Sequence, residues 1–364
     1  MRILLVSHHA PPHIGGVEEA VLTEATALVR QGHRVVWVAS DGGGGGKEVP
    51  PIEGLELIRV RAWHVLERWF HVAYPLFSPR LLPVLRSEVR KADAVHLHGL
   101  VFPGSLVGAF FARRMQKPCV VTDHGGLLRY RFWPATALLW LMMQTLGRYT
   151  ARRAARLVAI NEDLRRLLVR LGGDPDKVVF ESNPIDRSRF HPPSPLQREE
   201  ARRRLGWDGA PRVLLAGRLL PHKGIDVLLE GSCEDYRLVF CGPGDPEVLE
   251  RIRRAGAEHL GARPQEELVE VYWAADAFAL PSRNEGFPLA VMEALACGLP
   301  VVTTASAAYE PYRDLPRLAF CEPDARSFRE ALRAVLRAPR SPGAAADLPD
   351  PDSFASRIFA GLLP

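Results

Sequence analysis

Residues 279–304, ALPSRNEGFPLAVMEALACGLPVVTT, narrow the range of folds open to this chain more than any other stretch. The apolar run Ala277 to Leu280 reads as a strand, and Pro281 to Gly286 as a polar loop. Pro288 is placed to open a helix, because proline at a first helical position loses no hydrogen bond and arrives with a helical φ. Cys297-Gly298, with Pro300 beyond, closes that helix, and Val301 to Thr304 reads as the next strand. Strand, loop, helix and strand make one βαβ unit, which implies a parallel sheet in an α/β protein.

The first amides of such a helix are unpaired, and its dipole attracts an anion such as a phosphate. Glu285 stands at the mouth of the loop, and Glu293, eight residues on, falls roughly 12 Å further along a straight axis. Two acceptors so spaced suit a long ligand with hydroxyls at both ends and a negative middle, as in a nucleotide-sugar. Solvated glutamates near a helix start are the plain alternative, and the residues alone leave both readings open.

The same pattern recurs along the chain. Ile3 to Val6 is a strand that runs into Ser7-His8-His9 and a loop with Gly15 and Gly16. A helix from Val17 to Gln31, with Val21, Ala25, Leu28 and Val29 at helical spacing, leads to a second strand, Val35 to Ala39. Further strands are expected at 57–60, 93–99, 118–122, 157–160 and 177–180. Asn161 is placed to cap the helix that follows. Residues 187–199, polar and proline-rich, read as a linker. A second series then begins at Arg212 to Gly217 and continues through Arg237 to Cys241, the helix Pro246 to Arg254, a short strand and turn at 257–263, and the helix Glu267 to Ala274.

Arg218 at the tip of the 212–217 strand and Lys223, which precedes Gly224 and a helix, are two cations suited to a diphosphate. A Walker A loop is absent. Gly242 follows the next strand but belongs to no complete dinucleotide fingerprint. His124 follows the 118–122 strand and precedes two glycines, which lets a ligand approach the backbone. A lone histidine there is more often structural. His8, His9, His96 and His98 carry less weight, and no spacing among them asks for a metal.

The chain has 364 residues, 47% hydrophobic and 24% charged, enough for two domains with separate cores. Cysteines 119, 233, 241, 297 and 321 form no CxxC pair, so reduced thiols are expected. Met1-Arg2 leads straight into a strand, so no leader segment is expected, and no apolar run is long enough to span a bilayer. Residues 1–190 hold 26 Lys/Arg against 17 Asp/Glu, net +9; the remainder holds 21 against 25, net −4. The basic half would suit an anionic partner, either a phosphorylated acceptor or a membrane surface. An arginine-rich composition without function is the alternative. The segment 132–146, FWPATALLWLMMQTL, precedes a basic run and reads first as a core helix and second as an interfacial one.

The motif E-x7-E within EGFPLAVMEALACGLPVV, together with G-R-L-L-P-H-K-G at 217–224, resembles the signature of the family 4 retaining glycosyltransferases. The likeness is firm from 212 to 304 and thin over 40–90. It implies an α/β GT-B fold, two Rossmann-like domains with parallel sheets facing across a deep cleft. The ranges expected are 1–186 for the acceptor-binding domain, 187–211 for linker and domain start, and 212–338 for the nucleotide-sugar domain. A C-terminal helix within 339–364 would return to the first domain.

The resemblance further implies catalytic roles for His124, Arg218, Lys223 and Glu285. Donor contacts would come from Gly15, Gly16, Arg218, Lys223, Gly242, Arg263, Glu285, Gly286, Phe287, Pro288, Leu289 and Glu293. Glu285 would meet the sugar and Glu293 the ribose, with neither a metal nor another cofactor. The partners expected are a nucleotide-sugar donor and a sugar or lipid-linked acceptor, with no nucleic acid. The location expected is cytoplasmic, with peripheral contact at an anionic membrane. Departures from the family pattern stand at Asn183-Pro184 and at 305–311, where a glycine pair is replaced by Ser306-Ala307-Ala308-Tyr309-Glu310. A nucleotide-sugar epimerase on the same fold, or a non-catalytic nucleotide-sugar-binding subunit, are the alternatives.

Overall fold

The computed structural model describes residues 1–13, 15–42, 51–66, 74–125, 133–282, 289–315, 317–338 and 348–362. Among the described residues there are fifteen strands, most of them at the apolar runs just read: β1 (Arg2–Val6), β2 (Arg34–Ser40), β3 (Leu55–Val60), β4 (Ala62–Trp63), β5 (Leu76–Phe77), β6 (Ala94–His98), β7 (Cys119–Asp123), β8 (Arg156–Ala159) and β9 (Val178–Phe180) in the first half. The second half supplies β10 (Arg212–Ala216), β11 (Arg237–Cys241), β12 (Glu258–His259), β13 (Ala277–Leu280), β14 (Val301–Thr303) and β15 (Leu318–Phe320).

Two parallel sheets result. The first has the order β3-β2-β1-β6-β7-β8-β9 and the second β12-β11-β10-β13-β14-β15, while β4 and β5 form a small antiparallel pair. Each parallel sheet reverses its strand order once, between β1 and β6 and between β10 and β13. Open α/β sheets bind ligands at the carboxyl ends of the strands on either side of such a reversal. The central strands β1, β6, β10 and β13 are almost wholly buried, as strands covered by helices on both faces must be.

The chain forms two compact units, 1–184 with 349–364 and 185–348. In the first, helix Gly16–Arg30 packs Val21, Ala25 and Leu28 onto Ile3, Leu5, Val35 and Trp37. The same core takes in Phe354, Ile358 and Phe359 from the helix Pro351–Phe359. Arg156 ties down that helix, its guanidinium donating to the carbonyls of Arg357 and Ile358 at 2.9 Å each and of Ala360 at 2.7 Å. Terminal helix carbonyls otherwise have no intrahelical partner.

In the second unit, residues 195–204 form a helix where the sequence suggested a linker. Ser194 and Gln197 make a reciprocal capping box at its start. Its Arg198 and Arg202 reach Asp276 at 2.7 and 3.0 Å and the last carbonyls of helix Gln265–Ala274. The chain changes unit between Pro184 and Ile185, before the expected hinge. The composition misled because this helix is held by arginine contacts and buries only Ala201.

The segment around Leu146 also differs from its first reading. Helix Trp133–Met142 continues through a π-turn, Met143–Gly147, into Arg148–Ala151. Met143 and Gly147 are buried, but Leu138, Trp140 and Leu141 are each more than half exposed. It is therefore not a core helix.

Candidate active site

In the second unit, four strand ends are tied together, those of β10, β11, β13 and β14. At the end of β10, Gly217 donates its amide to the Cys241 carbonyl at 2.9 Å, and Leu219 donates to the Pro243 carbonyl at 2.8 Å. Gly242 sits opposite with φ +137, and a Cβ there would lie 2.0 Å from the Gly217 carbonyl oxygen. Glycine is thus needed at 242 to let two backbones approach. Arg218 projects exposed from the tip.

Lys223 ends a short turn, Pro221–Lys223, that passes through Gly224 at φ +70 into helix Ile225–Glu230. A Cβ on Gly224 would lie 2.1 Å from the Pro281 carbonyl oxygen. Ser282, just after β13, donates its hydroxyl to the His222 carbonyl at 3.3 Å, and Thr304, just after β14, donates to the Ser282 carbonyl. The Lys223 turn is therefore pinned to the ends of β13 and β14, where residues 283–288 begin. Glu285, Gly286, Phe287 and Pro288 lie outside the described residues.

Leu289 opens helix Leu289–Ala296, and Glu293 lies within it, 7% exposed. Tyr272 of the helix Gln265–Ala274 donates its hydroxyl to Glu293 Oε2 at 2.8 Å. Burial, and then the neighbouring Glu293 carboxylate, push the Tyr272 hydroxyl well above its ordinary range, so it stays a donor. Arg263 bonds to Glu267 at 3.0 Å and to the Leu260 carbonyl at 3.2 Å, within its own turn. In the altered 305–311 segment a 3-10 turn, Ala307–Tyr312, buries Tyr309, whose hydroxyl lies 3.1 Å from Thr303 Oγ1. Glu310 is exposed.

In the first unit, histidines and carboxylates gather at the carboxyl ends of β1, β6 and β7. Gly15 caps helix Gly16–Arg30 with an extended backbone. A Cβ on it would lie 2.3 Å from Glu18 Oε2. Glu18 is buried, and its Oε1 lies 2.9 Å from His13 Nδ1. Burial opposes its charge, but the His13 hydrogen bond, the positive character of His8 and His13 and its own amide lower it to about 2. The His8 ring stacks on Phe102, and the His9 ring on His13.

Deeper in the same unit, His96 Nδ1 lies 2.6 Å from Glu24 Oε1 and its Nε2 lies 2.7 Å from Thr122 Oγ1. His98 Nε2 lies 3.5 Å from Glu24 Oε2, and His98 Nδ1 lies 3.0 Å from His124 Nε2. Burial, reinforced by neighbouring histidines, holds His98 well below its usual value and His124 at about 3, so both rings are neutral. Glu24, His96 and His98 bring potential ligand atoms within 4.8 Å of one another, a grouping their sequence spacing did not suggest. The 2.6 Å between Glu24 and His96 is a hydrogen-bond distance. Two ligands of one tetrahedral metal would stand about 3.3 Å apart.

The sequence reading passed over Glu24 and Tyr272, and noted Glu18 only as matching the family pattern after Gly15-Gly16. Glu24 was findable: it lies three residues after Val21 and four before Leu28, on the apolar stripe of its helix.

Two parallel sheets of this topology are those of the GT-B glycosyltransferase fold. The fold is that of Anabaena HepE in complex with UDP (TM-score 0.74, 19% identity, 99% of this chain and 96% of that one). The Glycosyltransferase Family 4 model matches residues 14–189, and the Glycosyl transferases group 1 model matches 197–342. A GDP-mannose-dependent alpha-mannosyltransferase of Mycobacterium tuberculosis is 32% identical over 314 residues, covering 83% of this chain and 78% of the relative. A D-inositol 3-phosphate glycosyltransferase of Corynebacterium glutamicum is 27% identical over 335 residues, covering 83% and 80%. The chain belongs to the family 4 glycosyltransferases and uses a nucleotide-sugar donor.

Proposed function

We propose that the protein transfers a sugar from a nucleoside diphosphate sugar to an acceptor hydroxyl, with retention of anomeric configuration and with neither a metal nor another cofactor. The observation that carries this reading is the Lys223 turn, fixed to the end of β13 through Gly224 and Ser282. It stands in the same sheet as Arg218 at the end of β10. Preorganised cations at the ends of adjacent strands stabilise charge that develops on a departing diphosphate. In this reading Glu293 takes the ribose and Glu285 orients the sugar. Gly15, Gly16 and His124 would serve from the first unit.

The relatives' names make GDP-mannose the first donor to assay and a phosphorylated polyol one acceptor class to try; UDP-glucose, bound to Anabaena HepE, is the second donor. The test is a thermal-shift titration with UDP, GDP, ADP, dTDP and CMP. One nucleotide should raise the melting temperature by linkage, and Lys223→Ala should abolish that rise and most of the turnover. Unchanged activity in Lys223→Ala refutes the site. Turnover should survive a chelator; loss that Mg²⁺ restores refutes metal independence.

The exposed Leu138, Trp140 and Leu141, followed in sequence by Arg148, Arg152 and Arg153, favour contact with an anionic membrane. Among the described residues no helix is long and apolar enough to cross a membrane, so this contact is read as peripheral, from the cytoplasmic side.

A further inference from the structure

The chain Thr122–His96–Glu24–His98–His124 joins three elements, β6, β7 and the helix Gly16–Arg30, to the residue after β7. Its direction follows from the groups it contains. A carboxylate only accepts hydrogen bonds, and a neutral imidazole donates from one nitrogen and accepts at the other. Glu24 Oε1 accepts from His96 Nδ1, and His96 Nε2 faces the Thr122 hydroxyl.

The other carboxylate oxygen lies 3.5 Å from His98 Nε2. That distance is long for a hydrogen bond but short for a charge, and a bare lone pair facing the carboxylate there would be repelled. The proton of His98 therefore belongs on Nε2, and its Nδ1 must accept. Across the 3.0 Å contact the donor is then His124 Nε2. His124 keeps an unprotonated Nδ1, a buried atom with no hydrogen-bond partner among the described residues. The opposite sense would place a donor at that atom.

We propose that Glu24 and His98 are positioning residues which set the tautomer of His124, so that its Nδ1 presents an acceptor to a ligand hydroxyl at the carboxyl edge of the first sheet. The ligand chemistry is a sugar or acceptor hydroxyl, and this step rests on the reading that His124 meets the substrate. Neither Glu24 nor His98 touches the reacting atoms. They act through one imidazole, as a carboxylate does wherever it fixes which ring nitrogen carries the proton.

The test is ¹⁵N NMR of histidine-labelled protein, with the His124 signals assigned by His124→Gln. The intact chain should show His124 protonated at Nε2 and bare at Nδ1; a proton on Nδ1 overturns the proposal without any variant. Glu24→Gln, which keeps the volume but offers an amide, should produce a mixed or reversed His124 tautomer. It should also lower kcat/KM about tenfold or more, read as nucleoside diphosphate released from GDP-mannose or UDP-glucose. An unchanged tautomer in a folded Glu24→Gln protein overturns the relay. If the tautomer changes and turnover does not, the relay stands and the assignment of His124 to the substrate falls.

Discussion

The hydroxyl of Tyr272 lies 2.8 Å from Oε2 of Glu293, so a side chain from one helix orients a carboxylate on the next. Both residues are buried. Tyr272→Phe removes one donor from that carboxylate and nothing else of its shape. Stability measured by urea denaturation should fall by about 1–3 kcal/mol, and the affinity for the stabilising nucleoside diphosphate should fall with it. Full affinity in Tyr272→Phe would separate Glu293 from ribose binding.

Gly224 and Gly261 have nearly the same backbone conformation, φ +70 and +71, but a Cβ meets the Pro281 carbonyl at 224 and open space at 261. Gly261→Ala should cost about 1 kcal/mol, the left-handed penalty alone. Gly224→Ala adds a backbone collision and should cost at least about 2 kcal/mol more. The same substitution should weaken nucleotide binding, because the Lys223 turn must move. Equal melting temperatures for the two variants would contradict this.

The buried neutral histidines give the first unit an acid sensitivity. Burial, together with the nearby His96 and His8, lowers His124 from 6.5 to about 3, against a smaller opposing pull from Glu18. The unfolded chain therefore binds a proton below pH 6.5 that the folded chain refuses, and stability is lost as pH falls from about 6.5 toward 3. Glu18, depressed from 4.5 to about 2, adds to the loss below pH 4.5. His124→Gln should flatten the upper part of this limb by up to about 1.4 kcal/mol per pH unit. Urea unfolding at pH 7, 5.5 and 4.5 checks it; parallel slopes would mean that His124 titrates normally.

Trp140 and Leu141 are about half exposed. Replacing both with serine should leave the melting temperature unchanged and lower co-sedimentation with phosphatidylglycerol vesicles about tenfold or more, since each residue contributes roughly 1.5–3 kcal/mol on burial. Equal binding by the variant would remove this helix from the membrane reading.

Much of the fold was legible because parallel strands buried on both faces are short apolar runs, and β1, β7, β10, β11 and β13 stand at or near the expected residues. Strands β4 and β5, two residues each, carry no readable period. The helix Pro195–Arg204 was missed because its contacts are long arginine reaches to Asp276, not an apolar stripe. At the candidate site, Arg218, Lys223 and Glu293 are singled out by local spacing, and their roles are proposals. The partners of Glu24 and Tyr272 are brought by other elements, so nothing near either residue in the chain announces them. The role of Glu285 rests on sequence alone.

The helix Pro351–Phe359 completes the core of the first unit, yet it follows the whole second unit in the chain. On the ribosome, residues 185–348 are therefore made before the first unit receives Phe354, Ile358 and Phe359. Until then the part of this core that Phe354, Ile358 and Phe359 cover waits open, so the amino-terminal half matures only after the second unit has been made. A chain stopped short of residue 349 would carry every cation and carboxylate discussed above, yet its first unit would never have closed its core.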